Sequence, residues 1–263
     1  MRLPPRFPKS GYAITLCVLV TLATAAPLWP SELKITYLAN EGVLLDCQGK
    51  KVLIDALFRD SLDDYMRHPP EVQEKLETGK PPFDGVGLAL ATHFHLDHWD
   101  AGAISRFLVN NPGAVFASTP QATAMLPHSL QGRVRALWPD KDHDVGLKMS
   151  GIQVDAFALE HGKTQNLGYR LLVCSEVVFH LGDAGASDQN FKPVLQAGHT
   201  DVAMVPFWWL LDSKSTAFIK DKWKPKHVVA LHLGATDKES GREIQTHWPN
   251  AWVCTKQGEA RTF

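Results

Sequence analysis

The nine residues from Thr92 to Asp100, THFHLDHWD, constrain this chain more than any other stretch. Three histidines and two aspartates crowd together directly after the apolar run VGLALA. Such a run ahead of a polar turn reads as a buried strand that delivers its last side chains to a site. His93 and His95 are two apart, so in an extended segment they point the same way and can grip one cation. Asp97 and His98 begin the turn into the following helix and can face a second cation, about 3.5–4 Å from the first as in two-metal hydrolysis. Mixed imidazole and carboxylate donors suit zinc, with iron or manganese also compatible. A histidine-rich surface turn is the plain alternative, but HxHxDH is far more specific than a lone histidine.

Two metal ions need more ligands than these four. His161 closes DAFALEHG, Asp183 closes VVFHLGDAG and His232 closes VVALHLG. Each follows an apolar run and has a glycine just beyond it, as expected of a side chain delivered to the edge of a sheet. Singly, each reads more readily as structural; their order and spacing together point to ligation.

With these seven residues in place, the sequence resembles the metallo-β-lactamase-fold metallo-hydrolase superfamily, whose signature is HxHxDH followed by a histidine, an aspartate and a final histidine. The resemblance covers roughly residues 33–263. It implies an α/β (α+β) fold: a four-layer αβ/βα sandwich of two mixed β-sheets with helices on the outside and the metals at one edge. It assigns His93, His95 and His161 to one ion and Asp97, His98 and His232 to the other, with Asp183 bridging. It implies a dizinc hydrolase in which a hydroxide shared by the ions cleaves an ester, lactone or phosphodiester bond, with Asp97 orienting it. HLGDAG and HGKTQNLGYRL resemble the lactonase and N-acyl-phosphatidylethanolamine phospholipase-like branch most closely. True β-lactamases lack the bridging aspartate. A β-lactamase, an iron-dependent thiol or persulfide dioxygenase and a non-catalytic metal-binding protein are the competing readings.

Residues 1–26 read as a signal peptide: Arg2, Arg6 and Lys9 precede the apolar YAITLCVLVTLATAA, and Ala23-Thr24-Ala25 fits a cleavage site. That run is shorter than the roughly 20 residues a membrane span needs. The expectation is therefore a periplasmic or secreted protein with no stable transmembrane anchor, its hydrolase domain over 27–263. Losing those three of the 27 basic residues, against 28 acidic ones, leaves a net charge near −4. That balance disfavours nucleic acid as a partner and leaves a small-molecule or lipid-like substrate. At 44% apolar and 21% charged residues the chain can build a sizeable core. Cys47, Cys174 and Cys254 allow at most one disulfide and one free thiol within the mature chain.

Around the site, Asp55 at the end of KVLIDAL reads as a turn or supporting residue. Trp208 and Trp209 in VPFWWLL follow a strand; if the strand continues, one of them faces the site as a substrate contact. Tyr65, in the polar insertion 60–83, is a second candidate wall. His68, His128, His143, His180, His199, His227 and His247 carry no motif and read as solvated or structural.

Overall fold

The hydrophobic pattern alternates short apolar runs with amphipathic stretches, and the chain resolves that pattern into two sheets. The structure, a computed structural model, describes Met1 and residues 32–62, 64–139, 145–149 and 151–263. The expected signal peptide and His143 lie outside the described residues. The strands and helices belong to one unit, from Ser31 to Phe263.

The first half supplies β1 (Lys34–Ala39), β2 (Gly42–Cys47), β3 (Lys50–Ile54), β4 (Val86–Leu90), β5 (Val115–Ser118) and β6 (Val134–Ala136). The second supplies β7 (Val145–Met149), β8 (Ile152–His161), β9 (Thr164–Val173), β10 (Glu176–His180), β11 (Val202–Pro206), β12 (His227–Leu231) and β13 (Trp252–Val253). The last strand, β14 (Ala260–Thr262), returns to the first sheet and pairs antiparallel with β1. The strand orders are β14-β1-β2-β3-β4-β5-β6 and β13-β12-β11-β10-β9-β8-β7. Both sheets are mixed in the same way, antiparallel through the hairpins β1-β2-β3 and β7-β8-β9-β10, then parallel through β3-β4-β5-β6 and β10-β11-β12-β13.

The helices sit outside, which makes four layers. α1 (Pro70–Thr78) and α2 (Ala101–Asn110) cover the first sheet, and α3 (Pro120–Thr123) follows β5. α4 (Asp188–Gln196), α5 (Trp208–Leu211), α6 (Ser213–Phe218) and α7 (Lys238–His247) cover the second. α2 shows the cause: Ala103, Ile104, Phe107 and Leu108 form one buried stripe at helical spacing. Asp100 caps it, its side chain accepting from the Ala103 amide at 2.7 Å. Between the sheets Ile35, Leu45, Ile54 and Leu90 meet Val154, Tyr169, Leu171, Val178 and Met204 in one buried core. A disulfide joins Cys47 at the end of β2 to Cys174 in the β9–β10 turn, with Cα atoms 5.7 Å apart, and Cys254 is the buried free thiol.

One expectation needs correcting. The chain does not stay extended past β11: Phe207 has φ −54° and ψ −32°, and α5 begins at Trp208.

Candidate metal centre

Strand ends place the site. Asp55 directly follows β3, Thr92 and His93 follow β4, His161 ends β8, Asp183 follows β10 and His232 follows β12. Those carboxyl ends converge on one edge between the sheets, where open α/β folds place ligands. The THFHLDHWD segment is tied to both sheets. The Ala91 carbonyl accepts from the Ser118 hydroxyl at 2.7 Å and from the Tyr169 hydroxyl at 2.8 Å, and the Thr92 carbonyl accepts from the Leu167 amide. A tight turn comes next, in which the amides of His98 and Trp99 both donate to the His95 carbonyl.

All seven residues read from the motif come together in two groups sharing one carboxylate. Asp183 Oδ2 lies 3.6 Å from His93 Nε2 and 3.8 Å from His161 Nε2, and His161 Nε2 is 3.3 Å from His95 Nδ1. Asp183 Oδ1 lies 3.3 Å from His98 Nε2 and 3.2 Å from His232 Nε2. Asp97 Oδ2 completes that second group, 3.7 Å from His98 Nε2 and 3.5 Å from His232 Nε2. Ligand atoms of His93, His95, His161 and Asp183 lie within 4.8 Å of one another, as do those of Asp97, His98 and His232.

The donor set fits divalent ions on its own chemistry. His98 Nε2 and His232 Nε2 face each other at 3.4 Å, and His93 Nε2 and Asp183 Oδ1 are buried with no hydrogen-bond partner among the described residues. Such orphaned lone pairs are costly unless something electropositive meets them. The hydrogen bonds behind the rings fix which nitrogen faces inward. Asp55 accepts from the Thr92 hydroxyl at 2.7 Å, so that oxygen must accept in turn from His93 Nδ1–H, 3.0 Å away. His98 Nδ1–H donates to Asp55 Oδ2 at 3.0 Å. Both rings thereby turn Nε2, the nitrogen free to ligate, toward the centre, as ligating histidines do. Without an ion, burial lowers the His93 imidazole well below its usual range. For His98 burial acts the same way, but the carboxylates of Asp183 and Asp55 reverse it and hold the ring well above that range.

Backbone geometry supports these positions. Asp55 and His232 both sit at positive φ, 47° and 64°, which is uncommon for residues with a Cβ. Gly182, just before Asp183, has φ +55°, and a Cβ there would stand 2.5 Å from Asn166 Oδ1 and 2.7 Å from Thr92 Cβ. Only glycine brings Asp183 this close to the histidine motif.

The candidate substrate contacts separate. The Tyr65 ring meets His232 edge-on at 4.3 Å between centroids, and Trp208 stands 5.2 Å from the same ring. Trp209 is fully buried in the outer core of the second sheet. The helical step of about 100° per residue, in place of a strand's alternation, sends it inward. Both indoles donate to the Ala184 carbonyl, Trp208 at 3.1 Å and Trp209 at 2.7 Å, and so brace the residue after Asp183. His180 is a satisfied core histidine: Nδ1 accepts from the Gly182 amide and Nε2 donates to the Glu41 carbonyl. Asn40 and Glu41 are the residues that motif reading missed. Asn40 Nδ2 donates to Asp97 Oδ2 at 3.1 Å, while Glu41 is wholly buried beside the centre. Two polar residues, one of them charged, between the apolar runs LKITYLA and GVLLDC were the available signal.

A four-layer αβ/βα sandwich with paired histidine–aspartate groups at one edge defines a metallo-β-lactamase-fold protein. This chain belongs to that superfamily: the model of the beta-lactamase superfamily domain matches residues 34–232. It is 27% identical over 241 residues to a UPF0173 protein of Pyrococcus furiosus, covering 85% of this chain and 95% of that one. It is 21% identical over 217 residues to a UPF0173 metal-dependent hydrolase of Aeropyrum pernix, covering 76% and 82%. Among solved structures, the metallo-beta-lactamase fold protein YhfI of Bacillus subtilis superposes with a TM-score of 0.62 at 15% identity, over 88% of this chain and 100% of that one.

Proposed function

We propose that this protein is a metal-dependent hydrolase holding two divalent ions, zinc by ligand chemistry, that cleaves an ester, lactone or phosphodiester bond in a small or lipid-like molecule. The observation that carries this reading is Asp183, whose two carboxylate oxygens face two separate groups of imidazoles. His93, His95 and His161 would hold one ion, Asp97, His98 and His232 the other. When bound, such ions lower the pKa of a water and polarise the substrate oxygen.

The chain's own residues do the rest. Asn40 pins one oxygen of Asp97, and so orients the carboxylate that positions water and takes up its proton. Tyr65 and Trp208 form an aromatic wall on the His232 side, continuing into a groove lined by Leu62 and Phe207. On the His161 side a second groove carries Trp138 and Lys163. The first groove also carries the carboxylates of Asp64 and Asp237 and the second that of Glu160, a balance that disfavours nucleic acid as a partner. The bridging carboxylate and the Asn166-Leu167-Gly168-Tyr169 stretch favour the lactonase and phospholipase-like branch over β-lactamases.

The Cys47–Cys174 disulfide supports a periplasmic or secreted location, since such bonds persist in oxidising compartments. No helix among the described residues is long and apolar enough to cross a membrane. Elemental analysis should find about two ions per chain, and a panel of esters, lactones, phosphodiesters and β-lactams should show turnover in one of the first three classes. Fewer than one ion per chain after metal-replete refolding, or turnover of β-lactams alone, would refute the reading. Export predicts a mature N-terminus near Ala26 or Pro27, read by intact mass of protein from the native cell.

A further inference from the structure

Glu41 sits in the turn between β1 and β2, fully buried, and neither of its carboxylate oxygens has a hydrogen-bond partner among the described residues. The imidazole beside it, His180, has its Nδ1 3.9 Å from Oε2, and that nitrogen already accepts from the Gly182 amide. One Glu41 oxygen lies within 4.8 Å of ligand atoms of both His98 and Asp183, which themselves lie within 4.8 Å of each other. That spacing suits atoms arranged around one cation, since donors at about 2.1 Å on opposite sides of an ion stand about 4.2 Å apart. Two buried carboxylate oxygens left without a donor are costly unless a strong local cation meets them.

From this juxtaposition we infer that Glu41 is a further ligand of the second ion, reaching it from beneath His98 and Asp183. The inference rests on the two-ion reading of the site. It makes the two positions unequal. The first has three imidazoles and one carboxylate oxygen, whereas the second gains a third carboxylate beside Asp97 and Asp183 and two imidazoles. An oxygen-rich set of five protein donors exceeds the four of a structural zinc site and suits a five-coordinate ion, zinc as well as manganese or iron(II). Glu41 is delivered by the residue before it: Asn40, at φ 51°, turns the chain sharply while its side chain holds Asp97. One turn would thereby set two ligands of the same ion.

The test uses the mature chain and its Glu41→Gln variant, which keeps the side-chain volume and removes the charge. Stepwise titration with zinc and with manganese against a chromophoric chelator should leave the first ion's affinity within about threefold of wild type. The second ion's affinity should weaken at least about tenfold, as loss of a ligand requires. Cobalt(II) substitution gives an independent readout: the visible bands of the fully loaded variant should intensify as coordination number falls. A wild-type chain that takes up one ion overturns both readings. Two ions in wild type, with unchanged affinities and cobalt spectrum in Glu41→Gln, overturn this one alone and make Glu41 a neutral buried acid. Should Glu41→Gln fail to fold, Glu41→Asp replaces it. Its shorter reach must change the second ion's cobalt bands, and an unchanged spectrum overturns the inference.

Discussion

At the scale of single residues, the proposed chemistry turns on one carboxylate. Asp183 offers one oxygen to each imidazole group, and Asp183→Asn keeps its size while losing the charge and one metal-binding oxygen. The variant should fold, retain about one ion by elemental analysis, and lose at least about a hundredfold in turnover, matching the several kcal/mol that metal-stabilised charge supplies. Normal loading and turnover would remove the bridging role. His68 makes a different prediction. Its Nε2–H donates to the Ala56 carbonyl at 3.0 Å and its ring lies 4.6 Å from that of Phe58, so burial holds its pKa at about 4. Above pH 6.5, its ordinary value, the ring is neutral folded and unfolded, and its contribution to stability is complete. As pH falls from there toward 4, the unfolded chain takes the proton first and stability is lost. Urea midpoints measured between pH 7 and 5 should fall in wild type and fall less steeply in His68→Gln. A residual slope is expected from His180, which burial also pushes down.

At the scale of elements, the four residues of α5 govern how the second sheet frames the site. Trp209 fills the core between that sheet and its helices, close to Phe191 and Phe218, whereas Trp208 turns to His232. Trp209→Ala should cost about 3–5 kcal/mol in chemical denaturation. Trp208→Ala should cost much less stability and act mainly on KM, because it takes away groove wall. Equal losses of stability in the two variants would mean that the helical turn does not separate their roles. The strands that carry ligands were legible because their apolar residues and terminal histidines are local signals, as DAFALEHG and HVVALHLG show. β14 was not, since a three-residue strand exists only because β1 offers an unpaired edge to it.

At the scale of the whole molecule, the two sheets are held by a shared core and by the disulfide between β2 and the β9–β10 turn, which closes a separation of 127 residues. Removing it as a Cys47→Ser/Cys174→Ser pair should lower stability by about 2–5 kcal/mol while metal loading persists. A loss under about 1 kcal/mol would show that the core alone holds the sheets together. The seven residues at the candidate metal centre were legible in the sequence because HxHxDH and the histidines and aspartate at strand ends are local patterns of residue type and spacing, and the layered architecture followed from the superfamily those patterns resemble. The pairing of Cys47 with Cys174 and the opposite fates of Trp208 and Trp209 were decided by tertiary structure. So was the placement of Asn40, Glu41 and Asp55 against the site. Those outcomes depend on which buried surfaces meet across two sheets, and a chain read in one dimension carries no distance between β1, β4, β10 and β12.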